Sequence, residues 1–112
     1  SFPVIKTTGY LSGSQEAIEV VGIYTVSMIP FLGAKGEKRF NMEDYFREPN
    51  GVLVTRTFAS RHNIRKGGTL EASIYEKVYR LKVADILDSD LVPPDAAIMD
   101  IGNFQEYFDR AG

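Results

Sequence analysis

Alternating apolar and polar positions run through most of the chain and predict strands rather than long helices. The first such segment covers residues 4–11, where threonine and valine favour an extended backbone. The second covers residues 16–27, whose β-branched residues and interior Gly22 favour a strand over a helix. A turn signal at residues 12–14 lies between the two segments, so the pattern predicts a β-hairpin.

The same alternation returns in the second half of the chain. Residues 52–54 are wholly apolar, which is typical of a short buried strand. Residues 69–75 and 79–87 alternate and predict a second hairpin, with its turn at residues 76–77. Residues 97–100 predict a last short strand, which follows a polar, proline-rich loop.

Two short helices complete the predicted fold. Thr55 is expected to cap a helix over residues 56–63, because its hydroxyl can accept a hydrogen bond from a backbone N–H of the first turn. A C-terminal helix over residues 102–110, capped by Asp100 or Asn103, would carry an aromatic stripe. The order of elements predicts an α+β fold with two short helices, whose mostly antiparallel sheet curls or closes into a small barrel.

The connection over residues 30–51 is rich in glycine and proline and is expected to be irregular, apart from one helical turn near residues 42–46 capped by Asn41. The aromatic residues of this connection and of the last helix are expected to anchor the core or a loop rather than to form a ligand cage. These residues are Phe40, Tyr45, Phe46, Phe104, Tyr107 and Phe108.

The composition fits one folded domain of 112 residues, of which 44% are hydrophobic and 25% are charged. The formal net charge of −2 argues against a general nucleic-acid-binding protein, which would carry a basic surplus. The absence of cysteine excludes disulfides, thiolate metal sites and a cysteine nucleophile. Neither a membrane-spanning apolar run nor a signal peptide is present, and Ser1 is not an initiator methionine. We therefore expect residues 1–112 to be a single domain cut from a longer protein.

The candidate catalytic groups lack partners in the sequence. His62 is the single histidine and is expected to lie on the surface at a helix end, since no nucleophile or orienting carboxylate accompanies it. The segment Asp88-Ser89-Asp90 has the D-x-D form that holds a divalent cation in some transferases, but aspartate and serine are also common loop residues. The loop interpretation is preferred, so no catalytic, cofactor-binding or metal-ligating residue is assigned.

A basic segment offers two further candidates. Residues 66–69, K-G-G-T, resemble a phosphate-binding turn but lack the longer glycine-rich pattern and do not lead into a helix, so a tight turn before a strand is expected. A cluster of cationic side chains is a candidate partner-binding face, although a solvated helix surface is the simpler interpretation. This face consists of Arg56, Arg61, Arg65 and Lys66.

From residue 52 onward the order of elements resembles the periplasmic core domain of FtsX/MacB-type permeases of ABC transporters. An apolar strand is followed by a helix and turn, by an alternating hairpin, and by an apolar strand that leads into a last helix. Residues 20–23, V-V-G-I, resemble an earlier strand of that family. Gly68 stands where the family often has aspartate, and Asp85 stands where it often has glycine. The matching positions are Ala59, Ile64, Gly67, Leu70, Val83, Ile86 and Leu87.

This resemblance implies a noncatalytic periplasmic or extracytoplasmic domain of an inner-membrane protein, without a cofactor. Its partners would be the membrane helices of the same permease, a cytoplasmic ATPase subunit or domain, a second permease copy, and a cargo or periplasmic protein. Nucleic acid is not expected. The domain would bind the cargo or partner and transmit to it the conformational change that ATP drives.

Two other functions remain open on the residues alone. A free-standing β-barrel module of a soluble protein could bind a ligand, a peptide or nucleic acid through the basic face and exposed tyrosines. A small hydrolase or metal-dependent transferase could use Asp88 and Asp90 with a divalent cation.

Overall fold

A closed six-stranded barrel forms the body of the protein in the computed structural model, which describes residues 5–25, 42–88 and 92–111. The strands are β1 (Ile5–Leu11), β2 (Ala17–Ile23), β3 (Gly51–Thr55), β4 (Thr69–Ile74), β5 (Lys77–Leu87) and β6 (Ala96–Asp100). Around the barrel they follow the order β1-β2-β6-β3-β5-β4. The contacts of β2 with β6 and of β3 with β5 are parallel, and the other neighbouring pairs are antiparallel. This closed, mostly antiparallel sheet confirms the predicted α+β fold.

Three short helices pack against the barrel in the described ranges, where two helices and an isolated helical turn were predicted. They are α1 (Met42–Arg47), α2 (Arg56–Arg61) and α3 (Ile101–Ala111). Helix α1 occupies the predicted helical turn, while Asn41, its predicted cap, lies outside the described residues. None of these helices has the length and apolar character that crossing a membrane requires.

Capping residues set the ends of α2. Thr55 Oγ1 accepts a hydrogen bond of 3.1 Å from a backbone N–H of the first turn, as predicted. The helix stops at Arg61 rather than at residue 63, because Asn63 adopts a left-handed backbone with φ of 56°. The N–H of Ile64 then donates to the carbonyl of Ala59 at 2.8 Å, which closes the helix as a Schellman motif.

Asp100 is the residue that caps α3. Its Oδ2 accepts a hydrogen bond from the backbone N–H of Gly102 at 3.0 Å. The alternative cap, Asn103, lies inside the helix, where its buried amide nitrogen has no hydrogen-bond partner among the described residues.

The turn between β4 and β5 lies one residue earlier than predicted. Ile74 pairs with Lys77, so the two connecting residues are Tyr75 and Glu76, with φ of 49° and 69°. Positive φ at both positions matches the twist of a two-residue hairpin and is usually supplied by asparagine and glycine. Because neither occurs here, no local sequence signal marked the turn.

The two ends of the barrel carry different elements. At the loop end, β1 and β3 finish and β4 begins, so this end carries the β1–β2 loop, α2 and the turn at residues 65–68. At the opposite end, which we call the helix end, β1 begins and β2 and β6 finish. Helix α3 follows β6 directly and lies across this end, in contact with β2. The first described strand therefore begins at the end that the last helix covers.

Apolar side chains fill the interior of the barrel. Phe58 of α2 lies at the loop end of this core and Phe104 of α3 at its helix end, and both rings are buried. The hydroxyl of Tyr107 donates to the carbonyl of Arg80 at 2.9 Å, which fastens α3 to β5. The strands contribute Val20, Val52, Val54, Leu70, Ala72, Leu81, Val83, Ala97 and Met99 to the same core.

Strands β3 and β6 are also buried on their outer faces, which explains the uninterrupted apolar run at residues 52–54. Tyr45 of α1 packs there, and its hydroxyl lies 3.1 Å from Thr25 Oγ1. Burial raises the pKa of this hydroxyl, so it stays protonated over the physiological range. The strand residues of this outer core are Ile23, Leu53, Ala84, Leu87, Ala96 and Ile98.

Gly22 marks a close approach of α3 to the barrel, and a Cβ built there would lie 3.0 Å from Cβ and Cγ of Phe104. We expect Gly22→Ala to reduce the free energy of unfolding by about 1–3 kcal/mol, because the methyl group overpacks a buried contact. Urea denaturation followed by circular dichroism measures this loss. Gly13→Ala is the matched control, since nothing lies within 4 Å of a Cβ there. Equal losses in the two variants would contradict this account of the packing.

Candidate functional site

The four basic residues of the predicted partner-binding face are all exposed and belong to the loop end. Arg56 and Arg61 are the first and last residues of α2, and Arg65 and Lys66 lie in the turn before β4. Three of them each have their own acidic partner, which lies in β5, directly after β5 or in the β1–β2 loop. The face is therefore a row of separate ion pairs rather than one concentrated positive charge, and its role in binding stays a prediction.

Arg56 pairs with Asp88, which follows β5 directly. Its Nε and Nη2 both donate to the carboxylate, the second at 3.2 Å, and this hydrogen bonding raises the pKa of the guanidinium group. Asp88 thus has a structural partner, while Ser89 and Asp90 of the D-x-D segment lie outside the described residues. Within residues 5–25, 42–88 and 92–111, no group of three or more histidine, aspartate or glutamate side chains could hold a metal.

Glu16 of the β1–β2 loop joins two residues at the end of α2. One carboxylate oxygen lies 3.1 Å from Nη2 of Arg61, and the other lies 3.5 Å from Nδ1 of His62. The loop is thereby tied to the helix by two contacts of one carboxylate. These contacts fix the position of the loop relative to α2 at the loop end.

His62 is not the surface histidine that was predicted, although it does cap the C-terminus of α2. Its side chain is only 11% exposed, and its ring packs 4.5 Å from the ring of Phe58, measured between centroids. The helix ends one residue before His62, and the left-handed turn at Asn63 folds the chain back over the barrel. The ring therefore lies between the core and Glu16.

The glycine turn before β4 is the tight turn that was predicted. Gly67 has φ of 85°, which glycine adopts without strain. The N–H groups of Gly67 and Gly68 donate to the carbonyls of Val83 and Arg65, at 2.7 and 2.9 Å. Because both donors are used within the protein, this turn does not form a phosphate-binding loop from its backbone.

Two open clefts lie at the loop end, and His62 lines both of them. The first lies between the β1–β2 loop and the start of β4, and the second is lined by Glu16, Arg61 and Pro94, among others. Each encloses about 410 Å³, within the range of small-molecule and peptide-anchor sites. Polar and apolar side chains line both clefts, which suits a peptide or protein segment more than a purely apolar ligand.

Two acidic residues of this region were missed by the sequence analysis. Glu16 lies far from α2 in the chain, and only the barrel brings the β1–β2 loop beside the helix. Asp85 is buried in β5, where Ala84 has no partner in β3 and the register shifts as in a β-bulge. An aspartate interrupting an apolar strand is the one local signal that pointed to this irregularity.

The predicted aromatic anchors fall mostly in the two cores. Tyr45 and Phe104 are buried. Tyr107 and Phe108 are partly buried against the inner core, which fills the interior of the barrel. Phe46 is 37% exposed at the end of α1. The remaining member of the predicted set, Phe40, lies outside the described residues.

Comparison of the sequence with protein-family profiles and with curated proteins finds no match. Among solved structures, the fold is similar to the extracellular domain of the noncanonic ABC-type transporter YknZ from Gram-positive bacteria. The TM-score is 0.58 and the sequence identity is 12%, with 97% of this chain and 57% of that chain covered. The chain thus spans little more than half of that domain, and at this identity the likeness shows the fold alone.

Because the side chain of His62 is largely covered, its substitution should have a larger effect than that of its exposed neighbour Arg61. We expect His62→Ala to lower the free energy of unfolding by about 1–3 kcal/mol, because it empties space against Phe58 and removes a partner of Glu16. Arg61→Ala, which removes an exposed ion pair to the same carboxylate, should change it by about 0.5 kcal/mol or less. Denaturant unfolding of both variants makes the comparison. If both substitutions changed the free energy of unfolding by equally small amounts, His62 would be a surface residue, as predicted from the sequence.

Proposed function

We propose that this chain is a noncatalytic extracytoplasmic domain of an ABC transporter permease of the FtsX/MacB type. The observation that carries the proposal is the likeness of the fold, over 97% of the chain, to the extracellular domain of an ABC-type transporter. The resemblance of residues 52–112 to the periplasmic core domain of FtsX/MacB-type permeases supports the same assignment.

The distribution of elements between the two ends suits a domain tethered to a membrane on one side. The N-terminus of β1 and helix α3 share the helix end, so chain leaving the domain in both directions can approach a bilayer there. The loop end, with α2 and its two clefts, then faces away from the membrane. In this arrangement, the loop end binds the cargo or periplasmic partner.

The barrel is suited to transmitting movement rather than to performing chemistry. A closed sheet has no free edge along which strands can separate, and α3 fastens its helix end through Gly22, Phe104 and Tyr107. Displacement of the membrane helices by an ATPase subunit or domain would therefore move the barrel as one body. In a permease dimer, two such domains would move together and reposition the bound cargo or partner.

A free-standing binding module of a soluble protein is the second candidate. The pair of clefts around His62 would serve such a module as well, because binding there requires no membrane nearby. The two candidates agree on the loop end as the binding surface. They differ in what is attached at the helix end.

The full-length gene product that contains this chain tests whether the domain is attached to membrane helices at its helix end. We expect it to remain in the membrane pellet after alkaline carbonate washing, because a permease is held by helices of about 20 apolar residues. A hydropathy window of about 19 residues over the flanking sequence should show such segments on both sides of the domain. Release into the soluble fraction, together with polar flanks, would overturn the permease proposal and favour the free-standing module.

A further inference from the structure

A third concave site lies on the side of the barrel, apart from the two clefts around His62. The segment that follows α1, the turn before β4 and the middle of β5 enclose about 220 Å³. This volume is several times the roughly 30 Å³ that one water molecule occupies in the liquid. We call it the basic cleft and define it by Arg47, Glu48, Lys66 and Lys82.

The charges around the basic cleft are predominantly positive. Three cationic side chains line it, and they come from three separate parts of the chain: the end of α1, the turn before β4 and the middle of β5. Glu48 is the one carboxylate in its lining. A chain with a net charge of −2 thus gathers cations at this point through its fold and not through its composition.

A carboxylate close to each of the two lysines attracts its ammonium group without occupying all the N–H donors. Nζ of Lys82 lies 3.6 Å from Oε1 of Glu48, and Nζ of Lys66 lies 3.9 Å from Oδ2 of Asp85. Both separations exceed the usual hydrogen-bond distance of about 2.7–3.2 Å. Because an ammonium group has three N–H donors, each lysine keeps donors for a ligand in the cleft.

The buried partner of Lys66 is itself held by the β-bulge in β5. The side chain of Asp85 is only 6% exposed, and its Oδ1 accepts the backbone N–H of Ile86 at 2.8 Å. The preceding bulge residue, Ala84, lines the cleft. The irregularity in β5 therefore fixes a negative charge that orients Lys66, and β-bulges are often found beside binding sites.

We propose that the basic cleft binds a phosphate group, presented by a free phosphate, a phosphate ester or a phospholipid headgroup. A tetrahedral oxyanion offers oxygens in several directions, which suits the two ammonium groups of Lys66 and Lys82 approaching from separate segments. The cleft accommodates one such group rather than a nucleic-acid backbone. This inference does not depend on the proposed transporter function.

The test is titration of the 112-residue chain with inorganic phosphate at low ionic strength, followed by amide chemical shifts in NMR spectra. We expect saturable shifts at Gly67, Val83 and Ala84, which line the cleft. Lys82→Gln should weaken binding about tenfold, because it removes a charge-assisted hydrogen bond. Lys82→Arg, which keeps the charge and the donors, should retain binding. Thermal melting of both variants verifies that they are folded.

Lys6→Gln is the matched control, because it removes the same charge from an exposed position on β1, outside the cleft. It should change the affinity for phosphate less than twofold. If Lys6→Gln weakened binding as much as Lys82→Gln does, the effect would come from diffuse electrostatics, and the proposed site would be wrong.

Vesicles of phosphatidylglycerol in phosphatidylcholine, tested in parallel by flotation, distinguish a lipid phosphate from a soluble one. Binding to vesicles that Lys82→Gln abolishes would assign a lipid phosphate, and saturable binding of phosphate alone would assign a soluble one. Absence of saturable binding in both arms would overturn the proposal.

Discussion

The contact between β3 and β6 joins two three-stranded halves of the barrel, β1-β2-β6 and β3-β5-β4. It consists of two residue pairs, Leu53 with Ile98 and Val54 with Ala97. The first pair belongs to the outer core and the second to the inner core, so each apolar cluster crosses the same junction. Fully burying an aliphatic side chain contributes about 1.5–3 kcal/mol, which compensates for the small number of backbone hydrogen bonds here. The other junction, between β1 and β4, is equally short.

The candidate binding region at the loop end depends on this closure, whereas the basic cleft is lined by the β3-β5-β4 half and the segment that precedes β3. The loop end becomes a surface only when the β1–β2 loop of one half reaches α2 of the other, where Glu16 meets Arg61 and His62. The basic cleft depends on the parallel pairing of β3 with β5, whose bulge turns Asp85 towards Lys66. The helix end is held by α3, which crosses from β2 to the carbonyl of Arg80 in β5. A change in register at either junction would therefore alter the loop end, where the junction residue Leu11 lines the first cleft.

Local patterns were sufficient for the parts of the fold that depend on neighbouring residues. The inward positions of β4, the hairpin of β1 and β2 and the cap at Thr55 follow from alternation, turn residues and hydroxyl chemistry. Alternation alone placed the turn between β4 and β5 one residue too late. The parallel pairing of β2 with β6 could not be predicted, because it joins segments separated by most of the chain. For the same reason, the exposed basic residues were identified but their acidic partners were not. The largely covered ring of His62 depends on a left-handed Asn63, which a helical pattern does not reveal.

The central claim is that the loop end lies outside the cytoplasmic membrane, and thiol labelling in cells tests it most directly. The chain contains no cysteine, so Ser60→Cys on exposed α2 provides a single reporter in a full-length protein stripped of any other cysteine. A maleimide that cannot cross the cytoplasmic membrane should label it in intact cells. Ala72→Cys, whose position is fully buried, should remain unlabelled unless the barrel unfolds. Labelling of Ser60→Cys only after the cells are lysed would place the domain in the cytoplasm and contradict the account.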